Sequence, residues 1–433
     1  MTRILYDLII HFYTFSIRSA ALFGNEKAKL WINGRKNWLA ELEASLEKFK
    51  GSKRFWFHSA SLGEFEQGRS LIEKVRKEFP DAYILLTFFS PSGYEIRKNY
   101  SGVDFVSYLP ADTKINASRF INLLNPDITF FIKYEFWYNF IDELEKKQKP
   151  IYIVSAIFRP QQIFFKWYGG FYRKLLRKIT HIFLQNKYSS HLLNEKGISN
   201  HSVAGDTRFD RVLKISLEAK SIKKLDDFIG TSKAIIAGST WPQDEDLLLK
   251  VFQSLDRNNL KLVLVPHEVS PSRIEQLKNK ILDQTNLINV ALYSDKSTKT
   301  ESTIMIVDTI GILSSAYKYA TITYVGGGFD KGIHNVLEPA AHGKPIFIGP
   351  EYNNFREAHE LIANRSAFCI SDQIDGKRLI QKLLSDDQLL EIAGKSASEY
   401  VIQNTGATDK IFQAVFNSSS KKRKPGLQQT IEY

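Results

Sequence analysis

The segment FHSASLGEFEQGRS (residues 57–70) joins an apolar stretch directly to a helical pattern that begins with Gly63 and Glu64. A continuous apolar stretch of this kind is typical of a strand buried on both faces of a parallel sheet. Ser61 and Glu64 have the spacing of a capping box, in which Glu64 would stabilise the start of the helix. Ligands of α/β proteins bind just after such strands, so Glu64 is either a helix cap or a catalytic base.

Similar apolar segments recur along the chain and alternate with helical patterns, in two series. The first series comprises RFWFHSA, YILLTFF, DFVSYLP, ITFFIKYE, PIYIVSA, HIFLQN and HSVAGD. After a polar connection at residues 209–230, the second comprises AIIAGST, KLVLVPH, TIMIVD, TITYVGG, KPIFIGP and AFCISD. This alternation predicts two doubly wound, Rossmann-like α/β domains, and two facing sheets of this kind form an interdomain cleft.

Length and composition narrow the classes of protein that need to be considered. A chain of 433 residues is too long for one core of ordinary size. The single cysteine, Cys369, excludes a disulfide framework and a cysteine-based zinc cluster, and it fits a reducing compartment. The formal net charge of +12 indicates a polyanionic partner, such as nucleic acid, an anionic membrane surface or a phosphorylated substrate. No recognised nucleic-acid-binding motif accompanies that charge, so we expect no nucleic acid partner.

The N-terminal segment ILYDLIIHFYTFSIRSAALF (residues 4–23) is long enough to span a bilayer, but Asp7, His11 and Arg18 interrupt it. A central Asp or Arg costs about 2.5–3.5 kcal/mol on insertion scales. Basic and aromatic residues that suit anionic headgroups follow it: Lys27, Lys29, Trp31, Arg35, Lys36 and Trp38. We therefore predict a membrane-associated helix lying in or dipping into the interface. An amphipathic helix packed on the body of the protein is the alternative.

The second series carries glycines and polar residues after its strands. In GGGFDKGIHNVLEPAAHGKPIFIGP (residues 326–350), Gly327 and Gly328 would let the backbone approach a ligand closely. A helix beginning at Asn335 would present free N–H groups to a phosphate. Asn335 and Glu338 also have capping-box spacing, so a purely structural role is an equal alternative.

Two further strand ends of the second series extend this pattern. AGSTWPQDED (residues 237–246) offers the hydroxyls of Ser239 and Thr240, and VPHEVSPSR (residues 265–273) offers His267. A hydroxyl at a helix N-terminus is often only a cap. Because three such junctions would lie at one edge of one sheet, we predict a nucleotide site there.

Seven segments, in this order, resemble the landmarks of the 3-deoxy-D-manno-octulosonic acid (Kdo) transferase family. They are HSASLGEFE, KYEFWYNF, SAIFRPQQIFF, VAGDTRFDRV, AGSTWPQDED, VPHEVSPSR and the glycine-rich segment at residues 326–350. The resemblance implies a GT-B glycosyltransferase that works with inversion and without a metal or cofactor. It also implies transfer of Kdo from CMP-Kdo to a phosphorylated lipid A precursor, in lipopolysaccharide biosynthesis at the cytoplasmic face of the bacterial inner membrane.

The resemblance also implies roles for individual residues. Glu64 would be the catalytic base, and the acceptor-binding residues would be Gly63, Glu135 and Arg159. A surface ion pair of Glu135 with Lys133 is the structural alternative. The donor-binding residues would be Arg208, Ser239, Thr240, His267, Gly327, Gly328, Asn335 and Glu338.

The predicted organisation has four parts. A membrane-associated segment at residues 1–38 precedes an acceptor-binding domain at 39–212, a CMP-Kdo-binding domain at 213–418 and a disordered tail at 419–433. The basic and aromatic stretch RPQQIFFKWYGGFYRKLLRK (residues 159–178) would dock the acceptor lipid, or form a plain amphipathic helix. Two other functions fit the residues: a GT-B transferase that uses a different nucleotide sugar, and a non-catalytic, membrane-associated nucleotide-binding protein.

Overall fold

The computed structural model describes residues 3–285, 289–295, 302–330 and 332–417. The described residues form two compact units, one within Met1–Arg211 and Thr405–Tyr433 and the other within Val212–Asn404. The proposed disordered tail at 419–433 lies outside the described residues. Each unit is a parallel sheet flanked by helices, as the alternation of apolar segments predicts.

The first unit contains a seven-stranded parallel sheet in the order β3-β2-β1-β4-β5-β6-β7. The strands are β1 (Arg54–Ser59), β2 (Tyr83–Phe88), β3 (Phe105–Tyr108), β4 (Ile128–Ile132), β5 (Ile151–Ala156), β6 (His181–Leu184) and β7 (His201–Val203). The helices are α1 (Arg3–Leu22), α2 (Glu26–Asn33), α3 (Trp38–Leu46), α4 (Leu62–Glu78), α5 (Pro91–Arg97), α6 (Lys114–Leu124), α7 (Tyr138–Lys146), α8 (Gly170–Lys178) and α9 (Lys187–Asn194). Helix α10 (Thr207–Leu217) contains the boundary between the units.

The second unit contains a parallel sheet in the order β10-β11-β9-β8-β12-β13-β14. Its strands are β8 (Lys233–Thr240), β9 (Leu260–Pro266), β10 (Ala291–Leu292), β11 (Ile304–Ile306), β12 (Ile322–Val325), β13 (Ile346–Ile348) and β14 (Ala367–Cys369). Its helices are α11 (Lys223–Ile229), α12 (Pro242–Ser254), α13 (Pro271–Thr285), α14 (Leu313–Ala316), α15 (Leu337–Ala341), α16 (Arg356–Ala363), α17 (Gln373–Ser385) and α18 (Asp387–Gln403). All the apolar segments predicted as strands form strands, and only the two-residue β10 was missed.

Burial on both faces explains why the strands of the first unit are almost wholly apolar. Along β1, Phe55 and Phe57 pack into one core cluster, whereas Trp56 packs into another on the opposite face. Successive side chains of a strand point to opposite faces, so both sets must be apolar when helices cover both faces. Within the sheet β1 pairs in parallel with β4, and this pairing brings the segments that follow the two strands to one edge.

The final described helix, α19 (Ala407–Phe416), belongs to the first unit, whereas the sequence analysis assigned residues up to 418 to the second domain. Ile411 and Val415 are fully buried in the first unit's core. The carboxylate of Asp210 accepts hydrogen bonds from the backbone N–H groups of Gly406 (2.6 Å) and Thr408 (2.7 Å). The start of α19 is therefore capped by a side chain that is distant in sequence.

Helix α1 packs on the first unit through Tyr6 and Ile10. The hydroxyl of Tyr6 donates a 2.5 Å hydrogen bond to Asp112, and Asn139 donates one of 2.9 Å to Asp7. Outward-facing apolar side chains remain exposed, namely Ile4, Leu8, Ile9, Phe12 and Phe15. In the described part of the chain, no helix combines the length and hydropathy needed to cross a bilayer.

Candidate functional site

Glu64 lies in the first turn of α4, directly after β1. One of its carboxylate oxygens, Oε2, accepts a 2.6 Å hydrogen bond from the backbone N–H of Ala60. The hydroxyl of the N-cap residue Ser61 makes no cap hydrogen bond in return. Ala60 precedes the N-cap, and Glu64 also accepts from the backbone N–H of Ser61 itself. The predicted capping box is therefore half formed, because the Ser61 hydroxyl does not make the reciprocal bond.

Burial raises the pKa of the Glu64 carboxyl above its ordinary value of 4.5, to about 7. The neighbouring negative charge of Glu135 raises it further, while the Ala60 hydrogen bond and the charge of Lys133 oppose the rise. A carboxyl group with a pKa near neutrality exchanges a proton readily at physiological pH. Glu64 is thus suited to act as a general base.

Glu135 follows β4 and is only 9% exposed. Its Oε2 lies 3.1 Å from Nε2 of His58 and accepts a 2.7 Å hydrogen bond from the indole of Trp137. His58 is fully buried, and its other ring nitrogen lies 2.8 Å from the hydroxyl of Thr87. The alternative of a surface ion pair with Lys133 is therefore wrong, because this carboxylate is buried and its side-chain partners are His58 and Trp137.

Lys133 is the cationic neighbour of Glu64, and Arg208 and Arg159 lie near Lys133. Burial lowers the pKa of Lys133, the charge of Glu64 opposes this effect, and Arg208 and Arg159 reinforce it. Lys133 is the first residue after β4 and has a left-handed backbone, with a φ of 66°. Such a conformation in a residue other than glycine is uncommon and occurs often at functional sites. The sequence analysis named Lys133 only as a possible ion-pair partner of Glu135 and gave it no place in the site, although its position directly after a buried strand was the available signal.

The other residues predicted for this edge are also found in the first unit. Arg208 donates from Nε to Asp206 over 2.9 Å, so this residue, which was predicted to bind the donor, lies beside Lys133 in the first unit. A Cβ atom on Gly63 would meet no atom within 4 Å. Gly63 is thus not required by local packing, and the space beside Glu64 is open. We call Gly63, Glu64, Lys133, Glu135, Arg159 and Arg208 the first-unit site.

In the second unit, the two hydroxyls at the end of β8 differ in accessibility. Thr240 is 1% exposed, and its hydroxyl donates a 3.0 Å hydrogen bond to the buried carboxylate of Glu245. Ser239 is partly exposed and has a left-handed backbone, with a φ of 54°. Thr240 therefore has a structural role in this conformation, and Ser239 is the hydroxyl that a ligand could reach.

The glycines after β12 are required by close backbone packing. A Cβ on Gly326 would lie 2.3 Å from the carbonyl oxygen of Ser239, and one on Gly328 would lie 2.6 Å from Cα of Gly349. Gly327 has a φ of 96°, and its N–H donates a 2.8 Å hydrogen bond to Asp244. These contacts explain the three glycines without a ligand, although the backbone that they shape carries the residues beyond them.

Asn335 and Glu338 form a connected pair at the start of α15. The helix begins at Leu337, with Val336 at the N-cap, and not at Asn335 as predicted. The Asn335 side chain lies just before the helix and accepts a 3.1 Å hydrogen bond from the Leu337 N–H. The amide nitrogen of Asn335 donates to Glu338 over 3.0 Å. Asn335 is exposed and Glu338 is partly exposed, so both can reach a ligand.

Three aromatic rings form a stacked cluster near these residues. The ring of His267 lies parallel to that of Trp241 (centroids 4.7 Å apart) and to that of His334 (4.5 Å). The indole N–H of Trp241 donates a 3.0 Å hydrogen bond to His334. Burial and the neighbouring His267 lower the pKa of His334 to about 4, so its ring is neutral at physiological pH. Among the three, the sequence analysis identified only His267.

We call Ser239, Trp241, His267, His334, Asn335 and Glu338 the second-unit site. They lie at the carboxyl ends of β8, β9 and β12, where doubly wound sheets bind their ligands. Within the described ranges, no group of three or more His, Cys, Asp or Glu side chains is placed to hold a metal ion. The polar groups available to a ligand here are hydroxyl, amide, carboxylate and imidazole.

Comparisons with solved structures bear on the fold. A UDP-N-acetylglucosamine 2-epimerase from Neisseria meningitidis superposes with a TM-score of 0.60 and 13% sequence identity, covering 84% of this chain and 100% of that one. A putative enzyme of the same description from Listeria monocytogenes gives 0.58 and 13%, covering 86% and 98%. These similarities show that the two parallel-sheet units have GT-B-like structural neighbours.

Comparisons of sequence bear on the family. Residues 35–211 match the family model described as 3-deoxy-D-manno-octulosonic-acid transferase (kdotransferase). The transferase of that description from Rickettsia bellii is 24% identical over 86% of this chain and 90% of its own length. The one from Aquifex aeolicus is 26% identical over 81% and 91%. The chain is a glycosyltransferase, and its residues 35–211 match the family model of the 3-deoxy-D-manno-octulosonic-acid (Kdo) transferases.

Proposed function

We propose that the chain transfers Kdo from CMP-Kdo to a phosphorylated lipid A precursor, with inversion, in lipopolysaccharide biosynthesis. The family-model match at residues 35–211 and the similarity to Kdo transferases support the choice of Kdo as the transferred sugar. The observation that carries the mechanism is Glu64, a partly buried carboxylate after β1 whose pKa is raised to about 7 and whose neighbours include Lys133. The proposed location is the cytoplasmic face of the bacterial inner membrane.

Glu64 acts as the general base of a single displacement. It removes the proton from an acceptor hydroxyl while that oxygen attacks the anomeric carbon of Kdo. The new carbon–oxygen bond forms on the face opposite the bond to CMP, and CMP leaves with the electron pair of the bond that breaks. One displacement of this kind inverts the anomeric configuration. The open space beside Gly63 gives the acceptor sugar room to approach.

The cations of the first-unit site favour anionic reactants. Lys133 neighbours Glu64, and Arg159 and Arg208 add positive charge near Lys133. Charged groups held in this way stabilise phosphate or carboxylate groups of the acceptor and donor, since hydrogen bonds between ionised partners are the strong ones. The adjoining stretch at residues 159–178 supports a lipid acceptor, because Trp167 is 91% exposed beside α8, whose last turn carries Arg177 and Lys178.

The second-unit site holds the nucleotide of the donor. Ser239 and Asn335 contact the phosphate, with the N-terminus of α12 nearby in sequence to favour negative charge. Glu338 accepts hydrogen bonds from the ribose hydroxyls, and His267 contacts the donor from the end of β9. Thr240, Gly327 and Gly328 contribute by shaping the backbone on which these residues stand.

The N-terminal helix associates with the membrane. Its buried side is attached to the first unit through Tyr6, while Ile4, Leu8 and Phe12 are 74%, 61% and 72% exposed. A row of exposed apolar side chains on one face of a helix suits the boundary between headgroups and acyl chains. Residues 1–38 therefore hold the enzyme at the anionic surface where its lipid acceptor resides.

One assay tests the proposal. The purified protein is incubated with CMP-Kdo and a lipid A precursor, and the lipid is analysed by mass spectrometry. We expect product ions heavier than the acceptor by whole Kdo residues. Turnover with another nucleotide sugar but not with CMP-Kdo would instead indicate a different GT-B transferase. CMP binding without turnover on any donor would indicate a non-catalytic nucleotide-binding protein.

A further inference from the structure

The first unit contains a cavity of about 560 Å³ that shares no residue with the first-unit site or the second-unit site. Helices α1 and α2, the start of α3 and the segment between β3 and α6 form its walls. The lining residues are His11, Thr14, Phe15, Arg18, Trp31, Ile32, Arg35, Lys36, Trp38, Pro110, Ala111, Thr113 and Asn116. A cavity of this size accommodates a polar headgroup.

The charged side chains that line this cavity are all basic. Arg18, Arg35 and Lys36 line it together with His11, and no lining residue is an aspartate or glutamate. In the described parts of the chain, the ion pairs involve other basic residues, such as Lys29 with Glu26, and none engages these three cations. Clustered positive charge without internal carboxylates attracts an anion from outside the protein.

Arg35 is fixed in the wall of the cavity. Its guanidinium donates to the carbonyl oxygens of Leu109 (2.7 Å), Trp31 (2.9 Å) and Phe89 (2.6 Å). It also lies 3.8 Å from the centroid of the Trp31 ring. Carbonyl dipoles and an aromatic face solvate this cation but do not neutralise its charge, and burial lowers the pKa of Arg35. An anion in the cavity would supply the missing counter-charge.

The cavity borders the exposed apolar face of α1. Phe15 lines the cavity and is itself 65% exposed, and Phe12 on the same helix is 72% exposed. The position of α1 is set by the hydrogen bond from Tyr6 to Asp112. A fixed apolar surface beside a basic cavity matches the chemistry of a molecule that joins acyl chains to an anionic headgroup.

We propose that this cavity binds the phosphate group of an anionic phospholipid, with the acyl chains of that lipid against Phe12 and Phe15. This inference rests on the proposed membrane association, and it adds a defined headgroup site to what would otherwise be general attraction to a charged surface. Arg18 and Lys36 contact the phosphate, and Arg35 provides a fixed positive charge behind it.

The test compares two pairs of substitutions in the full-length protein that remove equal charge. Arg18→Gln with Lys36→Gln alters the cavity, whereas Lys27→Gln with Lys29→Gln alters α2 outside it. Binding is measured by flotation with vesicles of phosphatidylcholine, with and without phosphatidylglycerol. Loss of two charges near an anionic surface lowers the partition coefficient by roughly 30-fold for either pair. We expect the cavity pair to lose at least about tenfold more than the control pair.

The outcomes separate this inference from the proposal on which it rests. If the wild-type protein binds neither type of vesicle, the proposed membrane association is wrong, and the lipid site fails with it. If the wild-type protein binds phosphatidylglycerol vesicles but the two pairs lose binding equally, membrane association stands and the headgroup site is wrong.

A second measurement uses a soluble ligand, so general attraction to a charged vesicle surface does not contribute to the binding. Calorimetry with short-chain phosphatidylglycerol below its micelle concentration should show saturable binding to the wild-type protein and to the control pair, but not to the cavity pair. Inorganic phosphate should bind at least about tenfold more weakly, because it lacks the acyl chains. Equal affinity for inorganic phosphate would overturn the assignment to a lipid.

Discussion

Oε2 of Glu64 lies 2.6 Å from the backbone nitrogen of Ala60, and this hydrogen bond connects the end of β1 with the first turn of α4. The same carboxyl group has its pKa raised to about 7 by burial and by the charge of Glu135. A helix cap and a general base are therefore not exclusive roles for Glu64. The cap fixes the carboxylate, and burial supplies the basicity that proton transfer near neutral pH requires.

The variant Glu64→Gln separates these two roles. A glutamine oxygen still accepts from the Ala60 N–H, so the fold should lose no more than about 1 kcal/mol of unfolding free energy. Glutamine cannot accept the acceptor's proton, so turnover should fall by about 100-fold or more while CMP binding is retained. Urea unfolding, calorimetry and the mass-spectrometric assay measure the three quantities. Glu78→Gln, in the last turn of α4, is the matched control. Wild-type turnover in Glu64→Gln would leave Glu64 as a cap only.

The raised pKa of Glu64 also predicts how stability depends on pH. The folded protein binds this proton more tightly than the unfolded chain, so ionising Glu64 lowers the unfolding free energy. This loss of stability is absent below the ordinary pKa of 4.5 and complete above about pH 7. Relative to the wild type, Glu64→Gln should therefore gain unfolding free energy as the pH rises from 4 to 8, by an amount on the order of 2 kcal/mol. Denaturation at both pH values measures this gain, and an equal difference at both would contradict the raised pKa.

The variant Glu135→Gln should change the pH dependence of turnover. The charge of Glu135 raises the pKa of Glu64, so its removal should move the rising limb of kcat/KM, expected near pH 7 in the wild type, to lower pH. A glutamine can still accept from the Trp137 indole, which preserves local packing. A pH–rate profile measures the shift. Glu145→Gln removes an exposed carboxylate from α7 as a control, and coincident limbs in the two variants would refute the coupling.

The variant Glu338→Ala tests the proposed donor site. Loss of a hydrogen bond to a charged group costs about 1.5–3 kcal/mol, so affinity for CMP should fall by about tenfold or more. Because Glu338 also accepts from Asn335, Glu338→Gln is needed as a second variant that keeps an acceptor at this position. Calorimetry should give an intermediate affinity for the glutamine variant. Native affinity in a folded Glu338→Ala protein would exclude contact between Glu338 and the nucleotide.

The variant Asp244→Ala tests the structural account of the three glycines. The Asp244 carboxylate accepts from the backbone N–H groups of Gly327 and Trp241, both over 2.8 Å, and from the hydroxyl of Tyr324 over 2.7 Å. Each buried donor left without a partner costs about 1–3 kcal/mol, so the unfolding free energy should drop by at least about 3 kcal/mol. Urea unfolding measures the loss. A loss below about 1 kcal/mol would mean that the turn after β12 does not depend on this carboxylate.

Local patterns were sufficient for the strands and for the position of Glu64. A strand buried on both faces must be apolar throughout, and this pattern is complete within a few consecutive residues. The strands β1 and β4 can therefore be recognised from the sequence. The glutamate after β1 and the hydroxyls at the end of β8 were found in the same way, because the ends of parallel strands are local features. The capping-box spacing of Ser61 and Glu64 was also recognisable, but only Glu64 makes its half of that motif, by accepting from the Ser61 N–H.

Tertiary structure alone decided which of these local features meet. The order of strands in the sheet puts β4 beside β1, and this pairing is what brings the charge of Glu135 to Glu64 and buries Glu135 against His58. The tertiary structure also determines that α19 packs on the first unit, where Asp210 accepts a hydrogen bond from the N–H of Gly406. It likewise brings other backbone atoms so close to Gly326 and Gly328 that no side chain fits at these positions. Strand order, desolvation and long-range charge depend on residues far apart in the chain, and so the pKa of Glu64 is a property of the folded protein and not of its sequence motif.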